Sequence, residues 1–316
     1  MPKGRIVTAR ETVLLVAIAT AMLFGSVRLS SAKAQSQATD WETAAGGKMS
    51  FEVASVKQNL NEPTMNNMSQ NVPLDASVVF TPTGGLFRAT NTPLHWYIRF
   101  AYKTTTTEFG ELMNALPGWA LTNRYDIEAR SLGDPTKDQY RLMVQALLAD
   151  RFKLAVHFET KQMPVLALEL DKPGKLGPKL RKHADDVPCP DKRPDGGRAS
   201  TIAGGFPLPC GGLFDVAPGA DGHYAGGARN VPMSRVADIF STGIFRTYRP
   251  VIDETGLAGN YDFVVEFSMI AGNVQADPNA PIFPEALRDQ LGLKLVPQTG
   301  PVETILVDHI ERPSAN

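Results

Sequence analysis

The stretch PVIDETGLAGNYDFVVEF, residues 250–267, predicts a glycine-bounded loop followed by a β-strand of alternating apolar residues. An earlier stretch, PGWALTNRYDIEA at residues 117–129, resembles it. The aligned residues keep one offset of 136 positions, which relates Leu121, Tyr125 and Asp126 to Leu257, Tyr261 and Asp262. Because the same residue types recur in the same order, the sequence predicts a duplicated unit.

The similarity extends to both sides of these stretches. Upstream, ATNTPL at 89–94 matches ARNVPM at 228–233, and each predicts a strand leading into a helix that begins near a proline. The pattern T-x-x-Q at 136–139 predicts the start of another helix. Two short strands joined by a turn, at 160–162 or at 299–301, are expected to close each half. The predicted fold class is therefore α+β, with two duplicated β-α-β-α-β-β units whose small mixed sheets are backed by helices.

Composition divides the chain into five segments. The boundaries are 1–34 for a signal peptide, 35–85 for the N-terminal tail and first strands, 86–170 for the first unit, 171–223 for a basic Pro/Gly-rich insertion and 224–316 for the second unit. Residues 172–198 hold eight Lys or Arg against four Asp. This run predicts a solvated loop; the alternative is a site for an anionic partner, such as a cell-wall polymer or a lipid headgroup.

The N-terminus has the pattern of a secretory signal peptide. Lys3, Arg5 and Arg10 precede an apolar run at 13–24, and Ala-Lys-Ala at 32–34 fits a cleavage site. The alternative is a membrane anchor, but the run is shorter than the ~20 residues of a spanning helix. We therefore expect cleavage after Ala34 and export to the periplasm or the extracellular space, with no transmembrane segment in the mature chain.

Composition bounds the class of protein. The 316 residues are 43% hydrophobic and 21% charged, which suffices for two domain-sized cores. A formal net charge of -1 gives no basic field for nucleic acid, so no nucleic-acid partner is predicted. The sequence contains no cofactor motif and specifies no oligomeric state.

The chain contains two cysteines, Cys189 and Cys210, which lie 21 positions apart. In an oxidising compartment an isolated pair most simply forms a disulfide, which would staple the insertion. A metal site or a reactive thiol is the alternative. The absence of a Cys-x-x-Cys pattern, with His183 as the nearby imidazole, disfavours both.

Motifs of known nucleophile, metal and phosphate sites are missing from the sequence. Asp126 and Asp262 follow the repeated tyrosines, and each shares a predicted strand face with a second carboxylate, Glu128 or Glu266. Such pairs can perform acid–base chemistry or bind a cation. The alternative is a structural hydrogen bond common to the fold. We predict no catalytic residue and no metal ligand. The candidate positions are Tyr125, Asp126, Tyr261 and Asp262.

Longer segments resemble a known family. They are FEVASVK (51–57), NTPL (91–94), LPGW (116–119), RYDIEA (124–129), QALLADRFKLAVHFETKQMPVLAL (145–168), NVPMSRVADIFS (230–241), VIDETGLAGNYDF (251–263) and LGLKLVPQTGPVETILVDHIERPS (291–314). Together they resemble the soil-associated family of secreted bacterial proteins of unknown function, abundant as paralogues in acidobacteria-like organisms. The resemblance implies secretion and a domain of unknown function, and it supplies no catalytic residues to carry over to this chain. Relatives of that domain are attached to antibiotic-sensor-type membrane peptidases, whose zincin motif this chain lacks.

Each unit is also similar, at the level of fold, to the short N-terminal domain of secretins and TonB-dependent receptors, a periplasmic interaction module. These features favour an exported, non-enzymatic protein that binds a protein or an envelope component through open sheet edges. One alternative is a secreted hydrolase that uses the carboxylates of the Tyr-Asp strands. Another is a structural envelope protein held by residues 172–198.

Overall fold

The computed structural model describes residues 37–61, 67–75, 80–190, 198–216, 223–245, 247–268 and 280–313. The expected signal peptide at 1–34 lies outside the described residues. The sequence also predicts a short strand at 77–80, of which residues 77–79 lie outside the described residues. Within the described ranges, every helix is too short or too polar to cross a membrane.

The first half of the chain combines short runs of strands with short runs of helices. In order, its elements are α1 (Gln37–Ala44), β1 (Val53–Asn59), β2 (Ser69–Gln70), β3 (Leu86–Pro93), α2 (Leu94–Ala101), α3 (Thr106–Ala115), α4 (Gly118–Thr122), β4 (Arg124–Arg130), α5 (Lys137–Arg151) and β5 (Ala155–Leu170). Helix α5 begins with the predicted capping box, in which Thr136 and Gln139 bond each other's backbone N–H. Helix α3 begins in the same way with Thr105 and Glu108.

The second half follows a similar order. Its elements are β6 (Leu180–Lys182), β7 (Arg198–Ala199), β8 (Leu213–Val216), β9 (His223–Pro232), α6 (Met233–Phe240), a 3-10 turn (Gly243–Phe245), β10 (Val251–Asp253), β11 (Asn260–Ser268), α7 (Phe283–Ala286) with a π-helical turn (Leu287–Leu291), and β12 (Leu293–His309). Strands β6, β7 and β8 come from the segment expected as an insertion, so this segment completes a sheet.

The described strands form three sheets. Their orders are β1-β4-β3-β2, β6-β11-β9-β8-β7 and β10-β5-β12. The first two sheets share an order, because the Tyr-Asp strand, β4 or β11, lies between an antiparallel edge strand and the strand that enters a helix. The α+β fold class with small sheets and helices is confirmed. A common origin of the two halves stays a prediction.

Each of the first two sheets packs its helix through an apolar stripe. The buried residues of this stripe recur at i, i+3, i+4 and i+7, and they are Leu94, Tyr97, Ile98 and Ala101 on α2 and Met233, Val236, Ala237 and Phe240 on α6. The stripe on α2 joins a core with β3, β4 and α5, and the stripe on α6 joins a second core with β9 and β11. Helical periodicity therefore identified the buried face of both helices.

Strands β5 and β12 form a long antiparallel ribbon instead of two hairpins. The turns expected at 160–162 and 299–301 lie in the middle of these strands, so that prediction was wrong. Gly300 packs closely against β10, because a Cβ added at this position would lie 3.0 Å from the Ile252 side chain. The glycine is therefore explained by this close packing and not by a turn. Each strand contributes to both cores. Ile305 of β12 lies in the first core and Leu293 in the second, while on β5 Val156 packs against the first core and Leu168 lies in the second.

Candidate functional site

Strand β3 ends in a bulge at Asn91, where its pairing with β4 is interrupted. Asn91 has a φ of 50°, in the left-handed region that asparagine tolerates better than most residues. Its N–H leaves the ladder and donates to Asp126 Oδ1 on β4 at 2.7 Å. Asn59 Nδ2 on β1 donates to the same oxygen at 2.8 Å. Asp126 thereby ties together three neighbouring strands.

The second half has the same arrangement around Asp262 on β11. Asn230 on β9 has a φ of 56° beside a bulge, and its N–H donates to Asp262 Oδ1 at 3.0 Å. His183 Nδ1 lies 2.7 Å from that oxygen, and Arg181 Nε donates to Oδ2 at 3.0 Å. Because Asp262 is fully buried, these donors replace the water that its carboxylate gave up on folding.

The two aspartates differ in whether the basic side chain that lies opposite them forms an ion pair with them. Lys57 on β1 lies opposite Asp126 in register, and Arg181 on β6 lies opposite Asp262. Arg181 forms an ion pair with its aspartate. Among the described residues no cation forms an ion pair with Asp126, and its Oδ2 accepts no hydrogen bond. One carboxylate is thus closed off and the other has an open side.

Asp126 lines a groove of about 730 Å³ on the outer face of the four-stranded sheet. Alternate residues of β1, β4 and β3 point their side chains to this face. The polar lining side chains are basic at Lys57, Arg88 and Arg130, acidic at Asp126 and Glu128, and hydroxylic at Ser55 and Thr90. The predicted shared face of Asp126 and Glu128 is therefore the floor of a mixed-charge groove.

Glu128 is already paired within the groove. Arg88 Nη2 lies 2.9 Å from Glu128 Oε2, with the two side chains 51% and 50% exposed. Such an exposed pair contributes at most about 1 kcal/mol to stability. Among the described residues Lys57, Arg130 and Asp126 form no ion pair. Within the described part of the chain, the groove thus contains one carboxylate and two cations that have no ion-pair partner.

The family of the chain follows from a match over most of its length, which includes β4 and β11 but not β1 and β3 of the groove. Residues 95–310 match the family described as "Protein of unknown function (DUF3738)". The chain belongs to the DUF3738 family. The matched region contains both Tyr-Asp strands and begins just after β3. No curated protein and no solved structure matches the chain. The expected family of unknown function is confirmed, whereas the soil association and the likeness to secretins stay predictions.

The histidine beside Asp262 bears on the hydrolase alternative for this DUF3738 protein. His183 Nε2 lies 3.7 Å from the exposed Asp185 carboxylate. Within the described ranges, no Ser, Thr or Cys side chain is hydrogen-bonded to His183. A histidine–aspartate pair activates a nucleophile only when one lies within hydrogen-bond reach. The geometry therefore fits a structural role, in which Asp262 fixes β6 and the β9 bulge to β11.

The repeated tyrosines lie in the two cores, and the cysteines form a disulfide. Tyr125 and Tyr261 lie buried in the first and second cores, and the Tyr125 ring meets Phe152 edge-on at 5.0 Å between centroids. The predicted Cys189–Cys210 disulfide is confirmed, with Cα atoms 5.6 Å apart. The bridge holds the loop after β6 over β9. There, fully buried Arg229 donates through Nη2 to Val187 O and contacts Cys189 Sγ at 3.7 Å.

A cluster of carboxylates lies where α3 meets β12 and α6. Glu108 is 8% exposed, and its Oε2 accepts the Thr105 N–H at 2.6 Å. Asp238 on α6 accepts the Thr106 N–H at 2.7 Å. Burial raises the pKa of Glu108 to about 7, and the negative charges of Glu303 and Asp238 act in the same direction. Burial also raises the pKa of Glu303. This cluster joins the two halves of the DUF3738 fold.

Open sheet edges were the expected sites for a partner strand, and the outer edge of β12 in the ribbon is interrupted by prolines. The backbone N–H of Leu166 on β5 donates to a carbonyl beside β10, so it points away from β12. Pro297 lies opposite Leu166 on β12, so its backbone nitrogen points away from β5, towards the outer edge of the ribbon. Pro301 lies four residues further on β12 and faces the same way. A proline offers no N–H to an added strand. Among the described surfaces, the groove is therefore a better candidate for binding than this edge.

Two features were missed at the level of sequence. Helix α3 follows the pattern Thr105-x-x-Glu108, the same signal that predicted α5, so its capping box could have been found. The correspondence of β1 and β6 has a weaker sequence signal, because each strand has a basic residue followed two positions later by a polar side chain. The polar side chain is Asn59 on β1 and His183 just after β6. Both donate to, or lie against, the candidate aspartate of the neighbouring strand.

Proposed function

We propose that this protein is an exported, non-enzymatic binding protein that holds an extended segment of a protein partner in the groove on β1, β4 and β3. The observation that carries the proposal is the mixed-charge lining, in which Asp126, Lys57 and Arg130 have no ion-pair partner among the described residues. An extended segment presents a side chain to the same face every second residue, so it can pair with such a row.

The size of the groove supports a short segment. The volume of about 730 Å³ falls within the ~300–1,000 Å³ typical of ligand pockets. Residues 126–130 of β4 span roughly 13 Å at ~3.3 Å per residue. A bound segment of about five extended residues therefore covers the charged row. The contact is largely electrostatic, so affinity is expected to fall as salt rises.

Export is supported by two independent features. Residues 1–34 have the order of a signal peptide, with positive charge, an apolar run and an A-x-A site. The Cys189–Cys210 disulfide belongs to a class of bond that persists in oxidising compartments. Detection of the mature N-terminus after Ala34 by mass spectrometry of the envelope fraction tests export. An intact N-terminus in the membrane pellet contradicts it.

Binding is proposed over hydrolysis because the described hydrogen-bond partners of the two candidate aspartates do not include a nucleophile. Asp262, the aspartate next to a histidine, is fully buried with both oxygens hydrogen-bonded. Asp126, the aspartate in the groove, has Asn59 and Asn91 as its described partners. A general base activates a nucleophile through a hydrogen bond, and in the described part of the chain no hydroxyl or thiol side chain is hydrogen-bonded to either aspartate.

Peptide display on the mature chain, residues 35–316, tests the proposal. We expect selected peptides to bind at micromolar affinity, and Lys57→Glu or Arg130→Glu to weaken them about tenfold, equivalent to about 1.4 kcal/mol. Arg249→Glu is the matched control, because Arg249 is exposed and lies outside the groove lining. Binding that is indifferent to both groove variants contradicts the site. Turnover of ester, peptide or glycan substrates that Asp126→Ala or Asp262→Ala abolishes contradicts the non-enzymatic role.

A further inference from the structure

We infer that the groove contains a subsite for a basic side chain at Asp126 Oδ2, and that an arginine of the bound segment occupies the place that Arg181 takes on Asp262. The inference rests on the proposed function and specifies the chemistry of its ligand. The second half of the chain supplies the geometric precedent, because its equivalent aspartate already holds a guanidinium from its own chain.

The two aspartates are held by equivalent donors. At each one, Oδ1 accepts the N–H of a left-handed asparagine in a bulge, at 2.7 Å for Asp126 and 3.0 Å for Asp262. At each one, a side chain two residues beyond the opposing basic residue lies against the same oxygen, at 2.8 Å for Asn59 and 2.7 Å for His183. Since Oδ1 is fixed in the same way, Oδ2 is the oxygen left for a cation in both halves.

The difference between the halves explains why only one subsite is open. The Arg181 guanidinium stacks 4.4 Å from the centroid of the Phe206 ring, which holds it in place over Asp262. Lys57 occupies the corresponding position on β1, but among the described residues it stacks on no ring and pairs with no carboxylate. Lys57 instead remains exposed at the groove wall. Asp126 is thus left for a cation from outside the chain.

The charges near Asp126 in the groove add a second requirement for the bound segment, which is an acidic residue. Glu128 is engaged by Arg88, so Asp126 is the acidic side chain in the groove lining that is without an ion-pair partner. Arg130 lies four residues along β4, and an extended ligand has nearly the same rise per residue as the strand. An acidic residue four positions from the ligand arginine therefore reaches Arg130. The preferred segment has the form Arg-x-x-x-Glu in an extended conformation.

A peptide titration followed by amide NMR on the mature chain tests the subsite. The probe is acetyl-Ala-Arg-Ala-Ser-Ala-Glu-Ala-amide, and its control carries citrulline, a neutral analogue of similar shape, in place of arginine. The Asn91 amide is a direct reporter because its N–H donates to Asp126. The Asn230 amide is the internal control, because Asp262 is already occupied. We expect a saturable shift of Asn91, an unchanged Asn230, and at least tenfold weaker binding of the citrulline peptide.

The outcomes separate the subsite from the proposed function. Equal binding of the arginine and citrulline peptides in the groove overturns the subsite and leaves the proposed function standing. The same holds if display-selected peptides bind the groove while the probe leaves Asn91 unshifted. If neither the probe nor any selected peptide shifts groove amides, both are wrong. Asp126→Asn is expected to remove the preference for arginine over citrulline, and a preference that survives in a folded variant also overturns the subsite.

Discussion

Replacing Glu108 with glutamine is expected to raise the free energy of unfolding at pH 8 and to leave it nearly unchanged at pH 4.5. Glu108 is 8% exposed and caps α3, with Glu303 and Asp238 as further carboxylates nearby. Glutamine retains the cap, as Gln139 shows at the same position of α5 by accepting the Thr136 N–H at 2.8 Å. The substitution therefore removes the buried charge while keeping the hydrogen bond.

The magnitude follows from the pKa of Glu108, which burial raises from an ordinary 4.5 to about 7. Between these values the folded state binds more protons than the unfolded state, so the free energy of unfolding falls as pH rises through this window. The full loss amounts to about 3 kcal/mol at ~1.4 kcal/mol per pKa unit, and it is complete above pH 7. Glu108→Gln is expected to recover most of that amount at pH 8.

Urea denaturation followed by circular dichroism from pH 4.5 to 8.5 measures this effect. The difference between variant and wild type, rather than either curve alone, isolates Glu108 from Glu303, whose pKa burial also raises. Glu111→Gln on the same helix makes the same charge change at a partly exposed position and serves as the control. Parallel pH curves for Glu108→Gln and wild type would refute the argument, because they would show that Glu108 does not titrate within this window.

Three further predictions concern the scaffold. Reducing the Cys189–Cys210 disulfide is expected to lower the free energy of unfolding by about 3 kcal/mol in urea denaturation; a loss below about 1 kcal/mol contradicts this. Asp262→Asn is expected to cost about 2 kcal/mol more than Asp126→Asn, because it leaves a partly buried cation without its partner; equal losses contradict this. Replacing both edge prolines of β12 with threonine is expected to promote dimers in sedimentation velocity, and a purely monomeric variant contradicts edge protection.

The amino-acid sequence by itself determined features set by local spacing. The apolar stripes of α2 and α6 have helical period, and the Thr136–Gln139 capping box marks a helix start, so these elements follow from contacts within one turn. Isolated cysteines in a chain with an export pattern predicted the disulfide. The matched Asn-x-Pro segments predicted the entry into α2 and α6, because the fixed φ of proline suits the start of a helix.

Only the tertiary structure decided that β5 and β12 form a ribbon and that the two aspartates differ in burial. Thr-Gly-Pro at 299–301 has the composition of a turn, yet pairing along the whole of β5 and packing against Ile252 keep it extended. Asp126 and Asp262 follow the same tyrosine in the same local pattern, so no local signal distinguishes them. His183 lies 79 positions from Asp262, and its approach depends on where β6 joins the sheet. One aspartate is buried and the other lines a groove because burial is a property of the assembled strands, which local sequence patterns do not encode.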